Sequence, residues 1–272
     1  TYTVRVPGEP ADHRDGAPTP GPLLFARYAY PPNERGYCGP ADHRALLEYG
    51  AAGVTDPGIT DLARRFTGAW PYLTLIAAQA GIPDPLDHRV VEAYWLGNPL
   101  LDRIDATSLG NALRDRFFPK VGATGWDHLA EVIPAGALPH HSFHVFAVYP
   151  WVGLLDGDHG DQPLHVLDRC RIRWGKVITT MADQVIVRSR PLQFAAGQLS
   201  LGEEIEETAV TSLDGYGFVA GLQPGDVVAL HWDWVCDRLD RRQVDNLIRY
   251  TRHHLDMTNH RLAHPGPAMT LG

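Results

Sequence analysis

The sequence has few cysteines, no long apolar run and no export signal. Its 272 residues include three cysteines, Cys38, Cys170 and Cys236, and an odd number in a chain of this size cannot build a disulfide framework. No stretch approaches the roughly 20 apolar residues that a membrane-spanning helix needs, and the first residues lack a basic stretch followed by an apolar core. We therefore predict a cytoplasmic protein whose thiols are reduced and available for chemistry.

Positive charge is also scarce. The formal net charge is -8, and lysine and arginine do not cluster over more than a few positions. Because a nucleic-acid binder presents a basic patch, this class of protein is excluded. A hydrophobic fraction of 44% supplies a real core. The expected partners are proteins or small molecules, with no nucleic acid and no membrane.

The hydrophobic pattern divides the chain into two halves. Residues 1–22 are rich in proline and almost free of apolar residues, which predicts a flexible arm. Residues 23–139 place apolar residues three and four apart and predict a helical domain. Within it, helices are expected at residues 41–49, 61–80, 88–96 and 108–117.

In residues 140–262 the apolar period changes to two. This pattern predicts a small OB-like β-barrel, followed by a helix that opens at Asp240 as its N-cap and a tail over residues 263–272. The fold class is therefore α+β. Trp232 and Trp234 alternate around Asp233, so we expect both to face one side of the last strand. Strands are expected at residues 143–149, 164–167, 172–178, 184–189 and 226–234.

A thiol and an imidazole mark the ends of two predicted strands. Cys170 opens one strand and His231 closes another. Thiolate and imidazole together suit iron, zinc or copper, so both residues are candidate metal ligands. Two ligands cannot fill a coordination sphere. The other positions would come from a partner or from exogenous ligands such as cyanide or CO, which is typical of a carrier.

The residues around this pair form a spaced pattern over residues 168–256. It comprises a cysteine followed by Gly, Lys and an aliphatic residue, then a Gly-Asp-x-Val-x-x-His segment, then Leu and Asp that open a helix. The positions are Cys170, Gly175, Lys176, Val177, Gly225, Asp226, Val228, His231, Leu239 and Asp240. This pattern resembles that of the HypC family of [NiFe]-hydrogenase maturation chaperones.

This resemblance implies an accessory role in hydrogenase assembly. Cys170 would hold the iron of the Fe(CN)2CO unit with His231 as second ligand, and the partner would be the hydrogenase large subunit or another maturation protein. Arg171, Arg173 and Trp174 depart from the family pattern. The two arginines would pair with cyanide ligands or with an acidic partner surface. A barrel kept only for protein binding is the alternative.

A second constellation surrounds Cys38, in Cys-Gly-Pro-Ala before an apolar helix. A helix N-terminus lowers the pKa of a thiol, which favours a nucleophile. The segment resembles the bacteriocin-leader-processing branch of the papain-like cysteine peptidases, which implies His144 at the head of a strand as base and Asp168 at the end of the next as its orienting partner. The oxyanion-hole glutamine of that branch is missing, with Asn33 as the substitute. Alternatively, Cys38 is a further metal ligand.

Histidines and aspartates also gather near the junction of the two halves. They could bind a divalent metal, but their spacing follows no zinc signature, and a solvated, turn-rich loop is the favoured interpretation. His253 and His254 are predicted to be surface residues of the last helix. The helical half is similar to uncharacterised proteins of actinobacteria, which implies no role for it. The junction residues are His140, His141, His144, His159, His165, Asp156, Asp158 and Asp161.

Overall fold

Helices occupy the first half of the chain, and strands with one long helix occupy the second. The computed structural model describes residues 18–133, 136–157 and 161–264. Most of the predicted proline-rich arm and most of the predicted tail lie outside these residues, as do His159 and Asp158. No helix in the described ranges is both long enough and apolar enough to cross a membrane.

The helical half is built around its first helix, α1, which the sequence pattern did not predict. Two prolines lie in the last turn of α1, and its apolar side chains are buried on all sides. At the start of α1, a Cβ on Gly21 would lie 1.8 Å from the carbonyl oxygen of Leu86, so only glycine permits this close approach. The helices are α1 (Gly21–Glu34), α2 (His43–Ala52), α3 (Pro57–Arg64), α4 (Trp70–Ala80), α5 (His88–Trp95) and α6 (Ala106–Val132), with a 3-10 turn at Leu101–Arg103.

The segment that joins the two halves is helical, so the strands predicted at residues 143–149 and 164–167 are wrong. It contains α7 (His141–Phe143), a π-helical turn at His144–Val148, a 3-10 turn at Pro150–Leu154 and α8 (Gln162–Cys170). Residues 143–147 are buried on every side, and a short, fully buried apolar run carries no periodicity that separates strand from helix. Pro163 occupies the first turn of α8, where its missing N–H costs nothing.

Five strands then form a closed barrel in the order β1-β2-β5-β9-β8. Its interior is filled by small aliphatic side chains such as Val177, Val187 and Leu230. The barrel closes between β5 and β9, where the parallel pairing of the two strands consists of one residue pair, Val210 with Trp234. The strands are β1 (Arg173–Thr180), β2 (Gln184–Ser189), β3 (Leu192–Ala195), β4 (Gln198–Leu201), β5 (Ile205–Val210), β6 (Ser212–Leu213), β7 (Tyr216–Gly217), β8 (Val227–His231) and β9 (Trp234–Arg238).

The α+β class is therefore confirmed, with a helical first half, a small barrel and a final helix. That helix, α9 (Arg241–Ala263), begins as predicted at Asp240, which forms a capping box with Gln243. The expectation that His254 is a surface residue is wrong. His254 is fully buried, and its Nδ1 lies 2.8 Å from the hydroxyl of Ser142.

The strand predicted at residues 226–234 is two strands with a tight turn between them. Trp232 lies in this turn with φ of 53°, a left-handed conformation. Trp232 and Trp234 consequently do not share a face, contrary to the prediction. Trp232 packs with the residues around α8, whereas Trp234 joins the core of the helical half and stacks edge-on against Tyr30 at 5.0 Å between ring centroids.

A cluster of buried charges links α8 to the barrel wall. Glu207 on β5 accepts hydrogen bonds from Arg169, Arg173 and Ser189. Burial acts to raise the pKa of Glu207, but the two guanidinium charges and these hydrogen bonds outweigh it and lower that pKa to about 2. Arg171 pairs with Asp168 at 2.9 Å.

Removing the charge of Glu207 should destabilise the protein. We expect Glu207→Gln to lower the free energy of unfolding at pH 7 by about 3 kcal/mol, because it leaves buried arginine charges uncompensated. Since the folded-state pKa lies below the ordinary value of 4.5, this contribution is present above about pH 4.5 and is lost as pH falls towards 2. Urea denaturation across that range measures it.

Glu206→Gln is the matched control. Glu206 is the neighbouring residue and forms an ion pair with Arg188 at 2.8 Å, but both side chains are about half exposed. Its loss should cost less than about 1 kcal/mol. Equal losses of unfolding free energy in the two variants would show that the buried ion pairs of Glu207 stabilise the protein no more than an exposed pair does.

Candidate metal centre

Three potential ligands converge where the barrel meets the helical half. His141, Cys170 and His231 each offer one ligand atom, and these atoms lie within 4.8 Å of one another. His231 closes β8, as predicted. Cys170 does not open a strand but ends α8, and His141 begins α7. The structure thus brings together the two predicted ligands and adds a histidine that the favoured sequence interpretation placed in a solvated loop.

The centre is buried. His231 is 0% exposed, and Cys170 and His141 are each 5% exposed. One sulfur and two nitrogen ligands suit iron, zinc or copper better than magnesium or calcium.

The imidazole of His231 is oriented by α1. Its Nδ1 donates to the carbonyl oxygen of Tyr28 at 2.6 Å. In a regular helix that oxygen would accept from the residue four positions on, but that residue is Pro32, which has no N–H. The proline therefore leaves the Tyr28 carbonyl available to His231.

The other ring nitrogen of His231, Nε2, is buried. It has no hydrogen bond of good geometry among the described residues, and the backbone of Cys170 is a polar neighbour that acts to raise the pKa of the ring. Burial nevertheless lowers that pKa well below its ordinary value, so the ring is neutral. A neutral imidazole with one nitrogen bonded to a carbonyl and the other unpartnered is the form that binds metals.

His141 has a polar neighbour at each ring nitrogen. Nε2 lies 2.8 Å from the carbonyl oxygen of Cys170, and Nδ1 lies 3.3 Å from the hydroxyl of Tyr94. Burial lowers the pKa of His141 to about 4, so this ring is also neutral. Whichever nitrogen binds a metal, the other retains a partner that orients the ring.

The thiol of Cys170 is protonated when no metal is bound. Burial raises its pKa above the ordinary value, and the nearby thiol of Cys38 adds to this effect. A metal would have to displace that proton, so binding would release one proton to solvent.

The two arginines that flank Ile172 are buried and paired inside the protein. Arg171 and Arg173 are each about 1% exposed, and their partners are Asp168 and Glu207. Neither guanidinium is therefore available to an acidic partner surface. The Nε of Arg173 has no hydrogen-bond partner among the described residues, and the charge of Arg173 acts on His231.

The loop that carries Cys38 lies on the turn next to His231. Tyr37 stacks on Trp232 at 4.5 Å between ring centroids, and Arg35 pairs with Asp233 at 2.9 Å. Asn33 holds the loop in shape by donating to the carbonyl oxygens of Cys38 and Pro40, both at 2.6 Å. The thiol of Cys38 is not among the three converging ligand atoms.

The expectation of a low pKa for Cys38 is wrong. Burial raises that pKa to about 12. The helix that was expected to lower it begins only at His43, with Asp42 as its N-cap, so its dipole acts several residues away.

The other two residues of the predicted hydrolase triad have different partners. His144 begins the π-helical turn rather than a strand, and its Nδ1 lies 3.2 Å from the hydroxyl of Tyr72. Asp168 lies within α8, where it accepts from Arg171 at 2.9 Å and from the backbone N–H of Leu192 at 2.9 Å. These hydrogen bonds do not favour the orienting role proposed for Asp168.

The histidine cluster at the junction is not the solvated loop that we expected. His140, His141 and His144 are all buried, whereas His165, Asp156 and Asp161 are exposed. A zinc-signature spacing could not have revealed the three-ligand group, because its ligands come from segments far apart in the sequence. The only local signal was two adjacent histidines before an apolar run.

Fold and site together define an α+β protein with a buried candidate thiolate–imidazole metal centre. Its sequence matches a family model described as a family of unknown function, DUF6390, over residues 17–265. The chain therefore belongs to the DUF6390 family. Comparisons with the curated proteins and with the solved structures returned no match.

Alkylation rates should separate the three thiols. At pH 7.5 we expect iodoacetamide to modify Cys38 at least about tenfold more slowly than a free model thiol, because the raised pKa leaves little thiolate. Cys170 and Cys236, which are buried, should react more slowly still. Peptide mass spectrometry measures each site, and all three should react freely in denaturant. Faster reaction of Cys38 than of the model thiol would revive the hydrolase hypothesis.

Proposed function

We propose that the protein binds iron through Cys170 and His231 and carries an Fe(CN)2CO unit during [NiFe]-hydrogenase maturation. The observation that carries this proposal is the convergence of one ligand atom each from Cys170, His231 and His141 within 4.8 Å of one another in a buried site. His140 and His254 also have a buried Nε2 without a partner among the described residues, so what singles out His231 is its place beside Cys170 and His141.

The barrel itself accounts for several residues shared with the HypC-type pattern. Gly175 lies on β1 where a Cβ would be 3.1 Å from Val187, and Gly225 has φ of 100°. Asp226 accepts from the N–H of Gln223 at 2.9 Å, and Asp240 caps α9. These residues have structural roles that any such barrel would need.

Barrel construction does not account for Cys170 and His231 in the same way. A small hydrophobe would fill the position of Cys170 equally well, and nothing in the barrel requires an imidazole beside that thiol. Their juxtaposition therefore supports metal carriage rather than protein binding alone. Iron is cargo in this proposal, and the partners would be the hydrogenase large subunit or other maturation proteins.

Infrared spectroscopy tests the proposal directly. We expect protein purified anaerobically from a hydrogenase-expressing host to show bands in the window where metal-bound CO and cyanide absorb. The bands should disappear in Cys170→Ala and in His231→Ala, because each substitution removes a ligand.

Cys236→Ala is the matched control, since Cys236 is a fully buried thiol of β9 outside the ligand group. It should keep the bands, and circular dichroism should show that all variants fold. Absence of bands from the unaltered protein, in iron-replete cells with an intact maturation system, would overturn iron carriage and leave a barrel used for protein binding.

A further inference from the structure

We propose that His141 is a third protein ligand of the carried iron, supplied by the segment between the helical half and the barrel. This inference rests on the proposed function, and the number of protein ligands that it gives fits the proposed cargo. Three protein ligands on octahedral iron(II) leave three positions, which is the number of exogenous ligands in a unit with two cyanides and one CO.

Geometry separates His141 from the other buried histidines. Its ligand atom lies within 4.8 Å of those of Cys170 and His231, and its ring meets that of His231 edge-on at 5.2 Å between centroids. Its neighbour His140 points elsewhere, with Nδ1 2.7 Å from the hydroxyl of Ser142 and its ring stacked on Tyr250. Of two adjacent histidines, only one faces the centre.

The surroundings hold the ring of His141 in place before any metal arrives. The indole of Trp95 lies 4.6 Å from it between ring centroids, and the hydroxyl of Tyr94 and the carbonyl of Cys170 lie beside its two nitrogens. The π-helical turn that follows at His144–Val148 is of a kind often found beside functional residues. A preformed ligand lowers the ordering cost of binding.

Binding is a substitution without redox change. The S–H bond of Cys170 breaks, its proton goes to solvent, and the thiolate forms a bond to iron. His141 and His231 each donate a lone pair from a neutral ring, and the three ligands that held these positions on the incoming iron, water or side chains of the protein that supplies it, leave. Iron remains iron(II), and the cyanide and CO ligands remain bound to it.

Cobalt(II) alone is a suitable probe, because a thiolate ligand produces a sulfur-to-cobalt charge-transfer band. We expect this band in the unaltered protein and its loss in Cys170→Ala. His141→Gln should keep the band but weaken cobalt affinity by at least about tenfold, since even an outer partner of a ligand is worth 10- to 100-fold. Hyperfine-shifted imidazole N–H signals should number two in the unaltered protein and one in His141→Gln.

His140→Gln is the matched control, because it changes an adjacent buried histidine that lies outside the ligand group. It should retain both imidazole signals and the full affinity. His141→Cys provides a gain of signal that a folding defect cannot imitate: a second thiolate should roughly double the charge-transfer intensity. Equal cobalt affinity in His141→Gln and His140→Gln, or two imidazole signals remaining in His141→Gln, would overturn the role of His141.

The two proposals can fail separately. If infrared bands are present in the unaltered protein and unchanged in His141→Gln, iron carriage stands and the third ligand is excluded. If cobalt binding depends on His141 but no infrared bands form, the three-ligand site stands and its cargo is not the Fe(CN)2CO unit.

Discussion

The hydrogen bond from the imidazole of His231 to the carbonyl of Tyr28 joins the barrel to the helical half at the candidate metal centre. It exists because Pro32 cannot donate to that carbonyl. Such a bond contributes only about 1 kcal/mol to stability, but it sets the tautomer of His231 and leaves Nε2 unpartnered. The place of His231 in the ligand group depends on this orientation.

The hydrophobic core around this bond belongs to both halves of the chain. Phe25 and Tyr94 from the helices share one cluster of buried side chains with Trp234 and Cys236 from the barrel. Ion pairs reinforce the contact, as Arg242 of α9 pairs with the buried Glu92 of α5 at 2.7 Å. The helical half therefore encloses the ligand-bearing end of the barrel and excludes water from it.

Exclusion of water decides the chemistry available to each thiol and imidazole. Burial keeps the rings of His141 and His231 neutral and the thiol of Cys170 protonated, a set that can accept a soft or borderline metal ion in exchange for one proton. Cys38 is only half-buried, but its surroundings also raise the pKa of its thiol, and this disfavours the thiolate that a nucleophile needs. Cys38 lies instead in a loop that covers the turn beside His231.

Local signals predicted much of the barrel and its final helix. Strand β2 has the predicted bounds, and Asp240 caps α9, because alternation and capping act between near neighbours in sequence. Helix α1 was missed since Pro31 and Pro32 resemble a helix terminator although both are accommodated in its last turn. The strand predicted at residues 143–149 was wrong because burial of residues 143–147 on every side removes the periodicity that distinguishes strand from helix.

The sequence by itself determined the α+β class and identified Cys170 and His231 as candidate ligands, because the residue pattern around each of them is a local property of the chain. Only the tertiary structure decided that His141 joins them, that Nε2 of His231 has no partner among the described residues, and that the pKa of Cys38 is raised. These properties depend on burial and on distances between residues far apart in the chain. Packing sets both, and no local pattern encodes them.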